Sequence, residues 1–249
     1  KSIYRLKLTT ENPEWELLPE ELPHEVGYGM SVTLPKRGST LFIGGKHQEA
    51  FADVWEIGLD GTGPITCSPR VKLDLPLAEG AVGLIGEKVV VVGGVTNRQG
   101  GGSETVQKAY MLDTSKEEGE WKWEPLPWPK MKDGTSARGR AYAVSAVKGE
   151  KFYLFGGRDH AASDDPAPER VNQEKLDILS DCHVLDLKKG TWQQIADLPQ
   201  AMSAAPSAAI PVGVSHFLML GGVSADYWRQ QFEDRPELNG AGDAHPGFD

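Results

Sequence analysis

Six side chains stand where short apolar runs begin or end, and their types suit recognition of an acid and transfer of a proton. Arg140 opens the apolar run Ala141 to Val147, Glu79 stands just before the run that starts at Ala81, and Tyr28 precedes a third such run. Arg158 and His160 follow the pair Gly156-Gly157, and Asn97, beside Arg98, follows Gly93-Gly94. A guanidinium forks onto a carboxylate with two parallel hydrogen bonds. A glutamate takes up a proton, and an imidazole gives or takes one near neutral pH. Arg140, Arg158, Tyr28 and Asn97 are therefore candidate substrate-binding residues. Glu79 is a candidate base and His160 a candidate proton shuttle. Each also has an ordinary reading, as a solvated loop charge or a packing tyrosine.

Other chemistries find little support. The six histidines are scattered, with no close pair and no Cys-x-x-Cys, so no metal site is expected. Asp164-Asp165 and the group Glu233, Asp234 and Glu237 read as solvated loop charges. The run Gly100-Gly101-Gly102 lacks the lysine of a phosphate loop, and there is no Gly-x-Ser-x-Gly elbow. Cys67 and Cys182 lie in different parts of the chain and read as free thiols. A net charge of −10 argues against a nucleic-acid or anionic-membrane partner. A small anionic ligand remains compatible, because local charge in a cleft can oppose the net charge. No segment approaches 18 consecutive apolar residues, so no membrane insertion is expected, and none has the pattern of a signal peptide.

The elements that must position these residues are announced by four diglycines, Gly44-Gly45, Gly93-Gly94, Gly156-Gly157 and Gly221-Gly222. Each closes a short hydrophobic run: Thr40 to Ile43, Val89 to Val92, Phe152 to Phe155 and Phe217 to Leu220. A strand-and-diglycine unit repeated with a period near 50 indicates propeller blades. Residues 138–200 give the clearest unit, with strands expected at Ala141 to Val147, Lys151 to Phe155, Asp181 to Leu187 and from Thr191. Residues 78–137 and 24–77 repeat it, the latter with its fourth strand near Arg70 to Leu73 and without a late tryptophan. The third strands align as Tyr4-Arg5-Leu6, Trp55-Glu56-Ile57, Tyr110-Met111-Leu112 and His183-Val184-Leu185. Trp15, Trp121 and Trp192 follow on the fourth strands. Residues 1–23 read as the outer half of a blade, and residues 201–249 as an inner half with a polar tail. The expected fold is all-β, a single propeller domain of four-stranded antiparallel blades, with three full blades and two halves. The halves either join into a fourth blade or belong to a larger, incomplete domain.

Diglycine, then an aromatic residue, then tryptophan resembles the kelch repeat over most of the chain. Within kelch proteins, Gly139-Arg140-Ala141, Phe155-Gly156-Gly157-Arg158, Leu179-Ser180-Asp181 and Leu198-Pro199 resemble the bacterial N-acetylneuraminate epimerases, which are sialic acid mutarotases. Ala208 to Gly213 and Pro246-Gly247-Phe248-Asp249 are similar to a cyclically permuted branch of that family. The resemblance implies six blades, a sialic acid substrate, no cofactor, a periplasmic or other extracytoplasmic location, and a channel-facing Arg140 that binds the substrate carboxylate. The family's Gly-Glu…Pro-Gly-x-Arg-Thr segment has no match in these residues, so neither of its functional side chains is carried over. Two rival readings are a non-catalytic kelch module that binds a protein or carbohydrate through loops at one mouth, and a copper radical oxidase of the propeller type.

Overall fold

A computed structural model of the chain describes residues 2–6, 8, 11–59, 65–99, 101–160, 176–204 and 208–224. Strands β1 (Ser2–Leu6) and β2 (Trp15–Glu21) pair as a two-stranded sheet. The first full blade is β3 (Met30–Leu34), β4 (Ser39–Ile43), β5 (Val54–Leu59) and β6 (Ile65–Pro69), joined in sequence order. The second blade contains β7 (Ala81–Ile85) and β8 (Lys88–Val92). A short hairpin follows, β9 (Val95–Asn97) and β10 (Ser103–Thr105), before β11 (Ala109–Asp113) and β12 (Trp123–Leu126) complete that blade. The third has the same plan: β13 (Val144–Lys148), β14 (Lys151–Phe155), the hairpin β15 (Arg158–His160) and β16 (Leu176–Ile178), then β17 (Cys182–Asp186) and β18 (Thr191–Gln194). Last come β19 (Met202–Ser203), β20 (Ile210–Val212), β21 (His216–Leu218) and β22 (Val223–Ser224), with β20 paired to β21 and β19 to β22. Among the described residues the β1–β2 and β20–β21 sheets are separate, and Trp15, Leu17, Ile210 and Leu218 are exposed on them.

The inner strands β3, β7, β13 and β20 touch in succession, as propeller blades do around an axis. The middle blade shows why its second strand is not an alternating one. Val89 and Val91 pack into a core shared with Met30, Leu41 and Ile43 of the first blade, while Val90 and Val92 pack against Phe152 and Leu154 of the third. Both faces are covered, so every position of the run is apolar. The first glycine of the diglycine is required for contact between blades. A Cβ on Gly44 would lie 2.0 Å from the Leu77 carbonyl oxygen, and one on Gly93 would lie 2.4 Å from that of Arg140. Both also hold φ near +60 to +67°, which glycine adopts without a side-chain clash.

Three details differ from the sequence reading. The fourth strand of the first blade is Ile65–Pro69, earlier than Arg70 to Leu73. The tryptophan equivalent to Trp192 is Trp123, not Trp121: Leu112 faces Trp123 as Leu185 faces Trp192. Each of these indoles donates to the preceding blade, Trp123 Nε1 to the Val71 carbonyl at 3.1 Å and Trp192 Nε1 to the Pro127 carbonyl at 2.7 Å. In the first blade Ile57 faces Cys67, so a cysteine takes the place of the missing tryptophan. The long connections expected as plain loops after Gly94 and Gly157 instead begin with the hairpins β9–β10 and β15–β16.

Candidate functional site

Among the described residues, four that are not glycine have positive φ: Tyr28 (56°), Glu79 (61°), Tyr142 (52°) and Ala204 (52°). Each precedes the inner strand of its blade, and their backbones are chained together. The Glu79 N–H donates to the Tyr28 carbonyl at 2.9 Å, Tyr142 to Glu79 at 2.9 Å, and Ala204 to Tyr142 at 3.0 Å. Left-handed backbone at four matching positions, none of them glycine, is costly and is typical of places where a side chain must point in a set direction. This chain of contacts links the blades at the diglycine end of the molecule.

The residue after each diglycine forms a second tier. Lys46 bridges Gly27, Val95 bridges Ala78, and Arg158 bridges Ala141. Two of these three are cations, and each lies over the tyrosine of its own blade. Lys46 Nζ is 5.1 Å from the centre of the Tyr28 ring, and the Arg158 guanidinium is 4.4 Å from that of Tyr142. The two tyrosine rings meet edge to face at 6.4 Å. The middle blade contributes Glu79 in place of a tyrosine and buried Val95 in place of a cation. Glu79 is enclosed, with 1% of its side chain exposed, and Lys46 Nζ stands 2.6 Å from its Oε1. Burial, and then the Glu79 charge, push the Tyr142 hydroxyl well above the usual tyrosine range. Tyr142 therefore keeps its proton and is available as a donor.

Among the described residues, five buried side-chain atoms lack an aligned hydrogen-bond partner, and three of them meet here: Glu79 Oε1, Tyr142 Oη and Arg158 Nε. Buried polar atoms are ordinarily satisfied, so a cluster of unsatisfied ones needs a reason. Tyr28, half exposed, and Lys46, 27% exposed, leave this cluster open to solvent. A ligand with an acidic group and hydroxyls has the complementary donors and acceptors.

The sequence candidates divide. Tyr28, Glu79 and Arg158 converge. His160 lies two residues beyond Arg158 on β15, and its side chain lies outside the described residues. Asn97 is occupied elsewhere: its Oδ1 accepts from the Ala50 N–H at 2.6 Å and its Nδ2 donates to the Ala50 carbonyl at 3.0 Å. Arg140 does not face the channel as expected. It has no exposed surface, and its guanidinium donates to Asp181 Oδ2 at 2.6 Å and to the Gly156 carbonyl at 3.1 Å. Nor is it the counterpart of Glu79. Gly45 donates to Leu77, Gly94 to Arg140 and Gly157 to Met202, so Arg140 matches Leu77, while Glu79 matches Tyr28 and Tyr142. Lys46 and Tyr142 were missed by sequence reasoning. The residue directly after each diglycine, aligned across the repeats, was the signal for Lys46.

Asp181 also faces buried His183, with Nε2 2.5 Å from Oδ2. Burial alone would raise the Asp181 carboxyl, but His183 and Arg140 outweigh it and hold it at about 2. That trio is internal to the third blade and tied to the Gly156 carbonyl. Among the described residues there is no group of three His, Cys, Asp or Glu arranged to hold a metal ion.

Comparison with known proteins agrees with this architecture. A family model for the KLHDC2/KLHL20/DRC7 Kelch-repeats domain matches residues 2–222. Among solved structures, that of YjhT superposes with a TM-score of 0.57 at 15% identity, covering 81% of this chain. The chain spans 61% of the length of that protein, and at this identity the likeness concerns the fold. No curated protein matches in sequence.

Proposed function

The chain belongs to the KLHDC2/KLHL20/DRC7 family of kelch-repeat domains, and we propose that the mouth of its propeller binds a sugar acid and interconverts its anomers. The single observation that carries this reading is the convergence of three buried polar groups, the Glu79 carboxylate paired with Lys46, the Tyr142 hydroxyl and Arg158 Nε, the last two without an aligned hydrogen-bond partner. The substrate class, N-acetylneuraminate, comes from the resemblance of the 138–200 unit to the sialic acid mutarotases, and with it an extracytoplasmic setting.

Interconversion of anomers requires the pyranose ring to open and close. Glu79 takes the proton of the anomeric hydroxyl as its oxygen becomes a carbonyl. The bond from the anomeric carbon to the ring oxygen breaks, and the Lys46 ammonium supplies a proton to that oxygen. Rotation about the freed carbon and reversal of the steps give the other anomer, with no net change in protons or electrons. Tyr142 donates a hydrogen bond to the substrate. Arg158 binds the carboxylate, where a guanidinium gives charge and direction together.

The test is the NMR decay of freshly released α-N-acetylneuraminate with and without the protein. Acceleration that disappears in Glu79→Gln, while the variant keeps its melting temperature, supports the reading. No acceleration by the wild-type chain overturns catalysis.

A second reading is a non-catalytic module that holds an acidic carbohydrate or peptide. It is favoured by the hairpins β9–β10 and β15–β16, which rise from the mouth and touch each other, adding contact surface beside the cations. Under it, the acid perturbs the resonances of Tyr28 and Tyr142 without any change in anomer exchange.

A further inference from the structure

The middle blade supplies neither a cation nor a tyrosine to the mouth, yet its hairpin β9–β10 is bonded on both sides to the segments that carry the two cations. On one side Asn97 clamps Ala50 through both its backbone groups, at 2.6 and 3.0 Å. Ala50 in turn bridges Lys46, closing the short loop that presents it. On the other side Thr105 Oγ1 donates to Asp159 Oδ1. Asp159 also accepts from Arg138 Nε at 2.9 Å, and it is the residue next to Arg158 on β15. Successive residues of a strand point to opposite faces. Asp159 therefore faces β10 while Arg158 faces the mouth, where its guanidinium lies over Tyr142.

We propose that hairpin β9–β10 is a brace that fixes the spacing of Lys46 and Arg158 on either side of Glu79, with Asn97, Thr105 and Asp159 as positioning residues. The spacing sets which acids fit, because both cations must reach one ligand at once. This rests on the mouth being the ligand site. It accounts for Asn97, whose amide oxygen and nitrogen each bond the Ala50 backbone. It also explains why two neighbouring loops of different blades carry matching hydrogen-bonding residues at one level.

Three variants test it: Asn97→Ala, Thr105→Val and Asp159→Asn. Tyr28 and Tyr142 ring resonances report the two cations directly, without any substrate. Asn97→Ala is expected to shift Tyr28 several-fold more than Tyr142. Thr105→Val and Asp159→Asn are expected to do the opposite, and Thr105→Ser to restore the wild-type spectrum. KM for N-acetylneuraminate rises about tenfold in Thr105→Val and Asp159→Asn with kcat within about twofold, because Arg158 only binds the carboxylate. Asn97→Ala lowers kcat about tenfold or more as well, because Lys46 delivers the proton. Unchanged ring resonances and KM, even with a lower melting temperature, overturn the brace and leave a purely structural hairpin. If the wild-type protein gives no anomer exchange and binds no acid, the functional reading fails, and the ring resonances still decide the brace.

Discussion

Glu56 and Glu79 are equally buried, each with 6% of its surface exposed, and they keep opposite company. Glu56 accepts from Arg37 at 2.9 Å, Ser39 at 2.5 Å and Arg70 at 2.7 Å. Both arginines also pair with Glu118, and both guanidiniums lie near the Trp121 ring. Burial would raise the Glu56 pKa, but its hydrogen bonds outweigh that and hold it at about 2. Glu79 has a single close cation, Lys46 at Oε1, and beside it a tyrosine whose hydroxyl lacks an aligned partner. The lesson concerns purpose. A carboxylate whose lone pairs are all used holds blades together, whereas one left short of partners, on strained backbone at an open mouth, is available to a ligand. The Arg140–Asp181 pair belongs with Glu56 on this criterion, although its arginine looked like the ligand-binding one in the sequence.

The comparison breaks most visibly if the two kinds of carboxylate respond alike. Glu79→Gln is expected to slow anomer exchange by about 10²–10⁴-fold, the range for loss of a positioned base, with little effect on thermal unfolding. A large loss of stability instead would place Glu79 with the structural carboxylates. Asp181→Asn removes the counter-charge of a fully enclosed Arg140, and urea unfolding should show a loss of about 3–5 kcal/mol. Glu56→Gln leaves Glu118 to pair both arginines, so its cost should be smaller, about 1–3 kcal/mol in the same measurement.

The mildest test is acid unfolding. Glu56 and Asp181 have folded pKa values near 2, below the ordinary 4.5 and 3.8. Their contribution is therefore complete above the ordinary values and is lost as pH falls from about 4.5 towards about 2. The double variant Glu56→Gln with Asp181→Asn should flatten the dependence of unfolding free energy on pH across that window. An unchanged slope would show that other groups carry it.

Much of the fold was legible because the diglycine and the apolar run before it are local. Val89 to Val92 announced a covered strand, and the third strands aligned residue for residue at Tyr4, Trp55, Tyr110 and His183. The fourth strands were less legible. The spacing from the third-strand aromatic favoured Trp121, and only pairing with Leu112 selects Trp123. In the first blade nothing marks Cys67 as the stand-in for tryptophan. For the site, Tyr28, Glu79 and Arg158 were visible as types at the ends of strands. Tyr142 was hidden inside an expected strand, because an aromatic residue among Ala141, Ala143 and Val144 reads as core.

By itself the sequence determined the repeat and the all-β blades, since each diglycine directly follows a short apolar run. It also determined that acidic, cationic and phenolic groups lie near strand ends. Only the tertiary structure decided which of them meet. The register between blades depends on backbone bonds such as Gly94 to Arg140 and Tyr142 to Glu79, which join residues more than 40 positions apart. Those bonds turn Arg140 inward to Asp181 and bring Tyr142 beside Glu79. A run of amino acids records such a choice weakly, because arginine suits a buried ion pair as well as a ligand. The partners across the blade interface settle which one it makes.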